Sequence, residues 1–178
     1  MNSKASNPAN AEIVGSKILI IGIVASGKTT LAQNLAKQLG IPWYELDSIV
    51  HHLTPAGRSK RTAAEQMEVI REIDAKGTWI FEGTDRDSYQ SLYAIADKII
   101  FLDPSLWKRK IRIMTRFVKQ KLGIERCHYK PDLSMLRRMY KWTSEFEQNR
   151  EHFEAKLQRY DEKVIRLKDR KDILLILR

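Results

Sequence analysis

Apolar residues along this chain fall into two rhythms. Five short runs are nearly uniformly apolar: KILII at Lys17–Ile21, WYELD at 43–47, TWIFEG at 78–83, KIIFLD at 98–103 and KVIRLK at 163–168. Runs of this length, rich in β-branched and aromatic residues, predict strands buried on both faces. Between them the apolar positions recur at helical steps. Leu31, Leu35 and Leu39 mark a helix stopped by Gly40, and Met67, Ile70 and Ile73 mark another that runs to Gly77. Thr62 and Glu65 have the spacing of a capping box that opens the second of these. Further helices are predicted over 88–96, 105–120 and 132–160, with a closing one over 172–177.

Strands that alternate with helices predict an α/β fold with a parallel sheet covered on both sides. The pattern predicts a single domain over 16–178, preceded by a polar, mobile tail over 1–15 that lacks the apolar segment of a signal peptide. The longest apolar run, 18–25, is broken by Gly22 and too short to cross a bilayer, so no membrane partner is expected. In sheets of this kind ligands sit beyond the carboxyl ends of the strands. That rule gathers Gly22, Asp47, Glu82, Gly83, Asp103 and Lys168 at one rim.

The turn after the first strand reads GIVASGKT, residues 22–29, and matches G-x-x-x-x-G-K-[ST]. Gly22 and Gly27 allow backbone angles that let successive N–H groups, from Ala25 and Ser26 through Thr30, point at phosphate oxygens. Lys28 reaches the terminal phosphates as a point charge. Thr29 offers a hydroxyl to Mg²⁺, and the helix beginning here aims its positive end at the anion. The turn is read as a nucleoside triphosphate site, with ATP and Mg²⁺ as the expected cofactors.

With that cradle, LDS after the second strand, WIFEG at the third and LDP before an arginine-studded helix, the chain resembles a known group. It is similar to the small bacterial kinase-like P-loop proteins termed DNA topology modulation proteins, themselves akin to adenylate, shikimate and gluconate kinases. The resemblance spans 17–177. It implies a three-layer P-loop NTPase fold, a five-stranded parallel sheet in the order 2-3-1-4-5, and a helical lid after strand four at about 117–133. It also implies transfer of the γ-phosphate of Mg·ATP to a small hydroxyl or phosphate acceptor, whether a nucleoside, a nucleotide or another metabolite.

On this sequence the resemblance implies the following roles. Lys28 holds the β- and γ-phosphates, while Thr29 and Glu82 serve the metal. Asp47 orients or deprotonates the acceptor, or holds the metal through water, with Glu82, Gly83 and Arg86 beside it, Arg86 gripping an acidic group. Arg112 and Arg116, four apart, match an arginine pair that leads into the lid and stabilises the transferring phosphoryl group, and Arg126 joins them from the lid loop. The loop of Lys168, Asp169 and Arg170 meets the adenine. Two departures stand out: Ala25 replaces a frequent glycine, and His51-His52-Leu53 occupies a region that usually carries an aromatic.

Charge adds a second theme. The net charge is +10, but residues 1–103 hold 11 basic and 12 acidic side chains, whereas residues 104–178 hold 21 and 10. On a helix over 105–120, Trp107, Ile111, Met114 and Val118 form one stripe, expected to be core, and Arg109, Arg112, Arg116 and Lys119 form a basic edge. Basic residues continue through Arg137, Arg138 and Lys141 beside Tyr140 and Trp142, so nucleic acid is a possible partner of the 105–120 helix. A nucleotide-dependent nucleic-acid-binding regulator and a polynucleotide 5′-hydroxyl kinase therefore stand as alternatives.

Trp142 and Phe146 are expected to form a core stripe, and Asp103 to cap the basic helix. The single cysteine, Cys127, excludes an internal disulfide and fits a reducing cytoplasm. The adjacent pairs Cys127-His128 and His51-His52 lack the spacing of a zinc site.

Overall fold

The computed structural model describes residues 17–54, 57–124, 132–169 and 172–173. Five strands, β1 (Lys17–Ile21), β2 (Trp43–Glu45), β5 (Trp79–Gly83), β6 (Lys98–Leu102) and β7 (Val164–Leu167), form one sheet in the order β2-β5-β1-β6-β7. Every pairing in it is parallel. Counting only these strands, the order is the 2-3-1-4-5 that the sequence led us to expect.

Side chains alternate across each strand, and the two core clusters divide by that alternation. Leu19, Ile21, Trp79, Phe81, Ile99 and Phe101 point to one face. Ile18, Ile20, Ile80, Ile100 and Leu102 point to the other, where α1 (Lys28–Leu39) inserts Leu31, Ala32 and Leu35. The first face is covered by α2 (Leu46–Val50), α3 (Ala63–Asp74), α4 (Gln90–Ile95) and α7 (Arg150–Gln158) through Ile49, Ile70, Leu92 and Leu157. The result is three layers. Trp79 is wholly buried, and its indole N–H donates to Asp74 Oδ1 at 2.8 Å, so the bulkiest core side chain carries no orphaned donor.

Local signals account for several boundaries. Glu65 N–H donates to Thr62 Oγ1 at 3.2 Å and Thr62 N–H donates to Glu65 Oε2 at 2.7 Å, the reciprocal capping box expected for α3. Other elements differ from expectation. The second strand stops at Glu45, and Leu46 opens α2, which turns Asp47 onto a helical first turn. An antiparallel hairpin of β3 (His51–Thr54) and β4 (Gly57–Lys60), unforeseen in the sequence, stands apart from the main sheet.

The single helix expected over 132–160 is two, α6 (Leu133–Gln148) and α7, broken at Asn149. Asn149 returns its side-chain amide to the Glu145 carbonyl at 2.9 Å, closing α6, and the chain turns there so that α7 lies on the sheet. The basic helix α5 (Leu106–Lys121) extends through 117–121, part of the segment expected as lid. Arg126, Cys127, His128 and Arg170 lie outside the described residues, as do 174–177 of the expected closing helix.

Candidate phosphate-transfer site

The loop between β1 and α1 is shaped by close approach. A Cβ on Gly22 would lie 2.6 Å from the carbonyl oxygen of Leu102 on the neighbouring strand, so only glycine fits where β1 ends. Gly27 caps α1 with φ 103°, and Ala25 also sits in the left-handed region, with φ 59°. Ala25 adopts there a conformation that glycine would take without strain. Lys28 folds back over the loop and donates to the Ile23 carbonyl at 3.0 Å. The hydroxyl of Ser26 is buried and has no hydrogen-bond partner.

Glu82, at the carboxyl end of β5, is 2% exposed and accepts a hydrogen bond from Thr29 Oγ1 at 2.7 Å. Burial pushes its carboxyl above the usual range, while the Lys28 ammonium and the Thr29 hydroxyl pull it back. Burial likewise lowers the Lys28 pKa; Glu82 and Asp47 oppose this and Arg116 reinforces it. Those mutual effects place four sequence-chosen residues in one electrostatic unit.

No group of three or more His, Cys, Asp or Glu side chains able to hold a metal occurs among the described residues. Mg²⁺ takes one or two protein oxygens and completes its shell with water and phosphate. The hard-oxygen pair of Thr29 and Glu82 fits that demand.

Asp47 and Arg86 meet across the rim: Arg86 Nη2 donates to Asp47 Oδ1 at 2.7 Å. The resemblance implies separate tasks for them and does not announce the pairing. Arg112 Nη1 donates to the Ser26 carbonyl at 2.7 Å, and its Nη2 lies 3.3 Å from Asp169. Asp169, expected near a base, thus holds an arginine of α5. Lys28, Thr29, Asp47, Glu82, Arg86 and Arg112 line one cleft of about 1260 Å³, together with Gly83, Thr30 and Arg116.

Three expectations fail. Trp107, Ile111, Met114 and Val118 are exposed, and the side of α5 that enters the protein carries Arg109, Ile113 and Gln120. An apolar stripe was read as core because no sequence rule gives its direction. Asp103 does not cap α5; its carboxylate receives Arg150 on both oxygens, at 2.8 and 2.9 Å. Phe146 packs on the core beneath Phe101 and Phe153, but Trp142 stays 43% exposed and lines the cleft.

The sequence reading also missed an anchor beneath the acceptor side. Tyr93 Oη donates to Asp85 Oδ1 at 2.7 Å, and Lys156 both pairs with Asp85 and lies 4.1 Å from the Tyr93 ring centroid. The anchor brings Lys156 of α7 to the segment of Asp85 and Tyr93, 71 residues from Asp85, and no local spacing announces it.

No family model matches the chain. The fold matches solved P-loop kinases. Shikimate kinase from Acinetobacter baumannii, in complex with shikimate, superposes with a TM-score of 0.56 at 13% identity, covering 96% of this chain and 97% of that one. Shikimate kinase from Bacteroides thetaiotaomicron gives 0.52 at 15% identity with 92% of each chain covered. A gluconokinase from Sinorhizobium meliloti 1021 gives 0.51 at 16% identity, covering 91% and 89%. The chain therefore has the α/β fold of the P-loop kinases.

Proposed function

We propose that the protein is a phosphotransferase that moves the γ-phosphoryl group of Mg·ATP to a small acceptor. One observation carries this reading: a phosphate-binding turn, a hard-oxygen pair and an acid–arginine pair open into a single cleft. A nucleotide switch needs the first two but has no use for the third.

In this reading the turn from Gly22 to Thr30 receives the triphosphate on its N–H groups, and Lys28 leaves the Ile23 carbonyl for the terminal phosphates. Thr29 and Glu82 would hold Mg²⁺, which would supply charge neutralisation on the phosphate oxygens. Arg112 is fixed on the loop backbone and Arg116 follows one turn later, so two guanidinium groups stand where negative charge gathers in the transition state. Asp47 orients the acceptor hydroxyl and takes its proton. Arg86, paired with Asp47 before the acceptor arrives, holds an anionic group of the acceptor.

The test is transfer of labelled γ-phosphate to nucleosides, nucleoside monophosphates, polyhydroxylated carboxylic acids and 5′-hydroxyl oligonucleotides. Labelling of one small acceptor, lost in Lys28→Ala and Asp47→Asn, supports the reading. Labelling of oligonucleotides alone would replace it with a polynucleotide kinase. ATP binding without transfer to any of them would leave a nucleotide-controlled binding protein.

A further inference from the structure

Helix α5 is sorted in a way that the cleft does not explain. Arg109, Ile113 and Gln120 enter the protein. On the opposite side Trp107 is 71% exposed, Ile111 49%, Met114 45% and Val118 46%. Leu122 and Ile124 carry the exposed apolar line past the helix end. Single exposed apolar residues are ordinary on a protein surface, whereas a continuous ridge of them marks an interaction site.

The cations are sorted too. At 3.6 residues per turn, Lys110 and Lys121 fall on one flank of the ridge and Lys108 and Lys119 on the other, while Arg112 and Arg116 turn toward the phosphate loop. Between Asp103 and Glu125 there is no acidic residue. Lys108 reaches Asp169 at 3.6 Å, and Lys121 lies 5.8 Å from the ring centroid of Phe117.

We propose that the outward face of α5 docks on an anionic lipid bilayer. An exposed tryptophan, an aliphatic ridge and lysines on both flanks are the composition of a helix that lies in a membrane interface. Lysine stems extend along the apolar surface and leave their charge at the headgroups. Arginine suits point recognition of a carboxylate or phosphate, and this helix keeps its arginines on the cleft side and in the interior. Lys110 and Lys121 on one flank are exposed point charges, which suit a diffuse negative plane, whereas on the other Lys108 pairs with Asp169 and Lys119 lines the cleft. A second copy of the chain would set the same lysines against each other. The surface lies along a helix and needs no spanning segment, and the inference is independent of the acceptor's identity.

The experiment is co-sedimentation of the full chain with phosphatidylcholine vesicles and with vesicles enriched in phosphatidylglycerol. Binding is expected only to the second, to weaken as salt is raised, and to fall about tenfold or more in Ile111→Ser/Val118→Ser and in Lys110→Gln/Lys121→Gln. All four residues are exposed, so folding checked by urea denaturation should be unchanged. Absence of vesicle binding overturns the proposal, as does binding that neither double variant weakens. A dimer in lipid-free sedimentation, dissociated by Ile111→Ser/Val118→Ser, would assign the ridge to a second copy. Selective binding of an acidic amphipathic peptide without vesicle binding would assign it to a protein partner.

Discussion

Arg112 of α5 donates to the main-chain carbonyl of Ser26 at 2.7 Å and joins the basic helix to the phosphate loop across 86 residues of sequence. The same guanidinium lies 3.3 Å from Asp169, so one side chain ties three segments at the mouth of the cleft. Replacing Arg112 with alanine should lower kcat/KM for phosphoryl transfer by roughly a hundredfold and stability by about 1 kcal/mol. Lysine at this position restores charge but cannot reproduce the two-pronged geometry. Arg112→Lys should therefore recover less than half of the lost activation free energy, read from steady-state kinetics.

Ala25 is the described non-glycine residue at positive φ. The left-handed conformation costs a residue with a Cβ about 1–2 kcal/mol, whereas glycine gives back roughly 0.4–1 kcal/mol through the freedom of its unfolded chain. The first effect is larger, so Ala25→Gly should stabilise the protein by about 0.5–1 kcal/mol in urea denaturation. Gly27→Ala, at φ 103°, should destabilise it, because no side chain is at ease there.

Glu82 gives a pH signature. Its folded pKa lies above the ordinary value of 4.5, so between those two values the native state binds more protons than the unfolded state, and stability falls as pH rises through that window. Glu82→Gln removes the titration while keeping an oxygen to accept from Thr29. The variant should match the wild type below about pH 4 and exceed it increasingly toward neutrality, in urea midpoints taken across pH without nucleotide. Magnesium-dependent transfer should be lost in the same variant.

The pair of Asp47 and Arg86 is half open to solvent, so it contributes little to folding. Asp47→Asn should change stability by less than about 0.5 kcal/mol while reducing kcat by roughly a hundredfold or more. Arg86→Ala should instead act mainly on KM for the acceptor. A separation of that kind in steady-state kinetics distinguishes proton handling from acceptor binding.

Much of the architecture was legible in the chain because its signals are local. The buried runs, the capping box at Thr62 and the turn from Gly22 to Thr29 each state their own conformation. What failed were questions of direction. The stripe from Trp107 to Val118 has helical spacing, but spacing shows that residues share a face and leaves open which face meets the protein. Asp103 seemed placed to cap α5, yet Arg150, 47 residues on, offers two charged donors where the cap offers one neutral N–H. The hairpin at 51–60 was hidden because its mixed sequence, HHLTPAGRSK, gives no clear alternation of apolar and polar positions.

Asp103, Arg150, Glu147 and Arg109 form one charged knot where α5 begins, α6 ends and α7 starts. Mechanically, that knot pins the root of α5, and Arg112 pins the helix again at the Ser26 carbonyl. The sixteen residues of α5 make an arm about 24 Å long, so turning it by roughly ten degrees at the root would sweep its tip through about 4 Å. Displacement at Lys121 would be large for a small disturbance at the base, whereas Arg109, inside the knot, would hardly shift. Substitutions around Glu147 would thus alter the position of a distant tip and reach the phosphate loop through Arg112, which holds the Ser26 carbonyl.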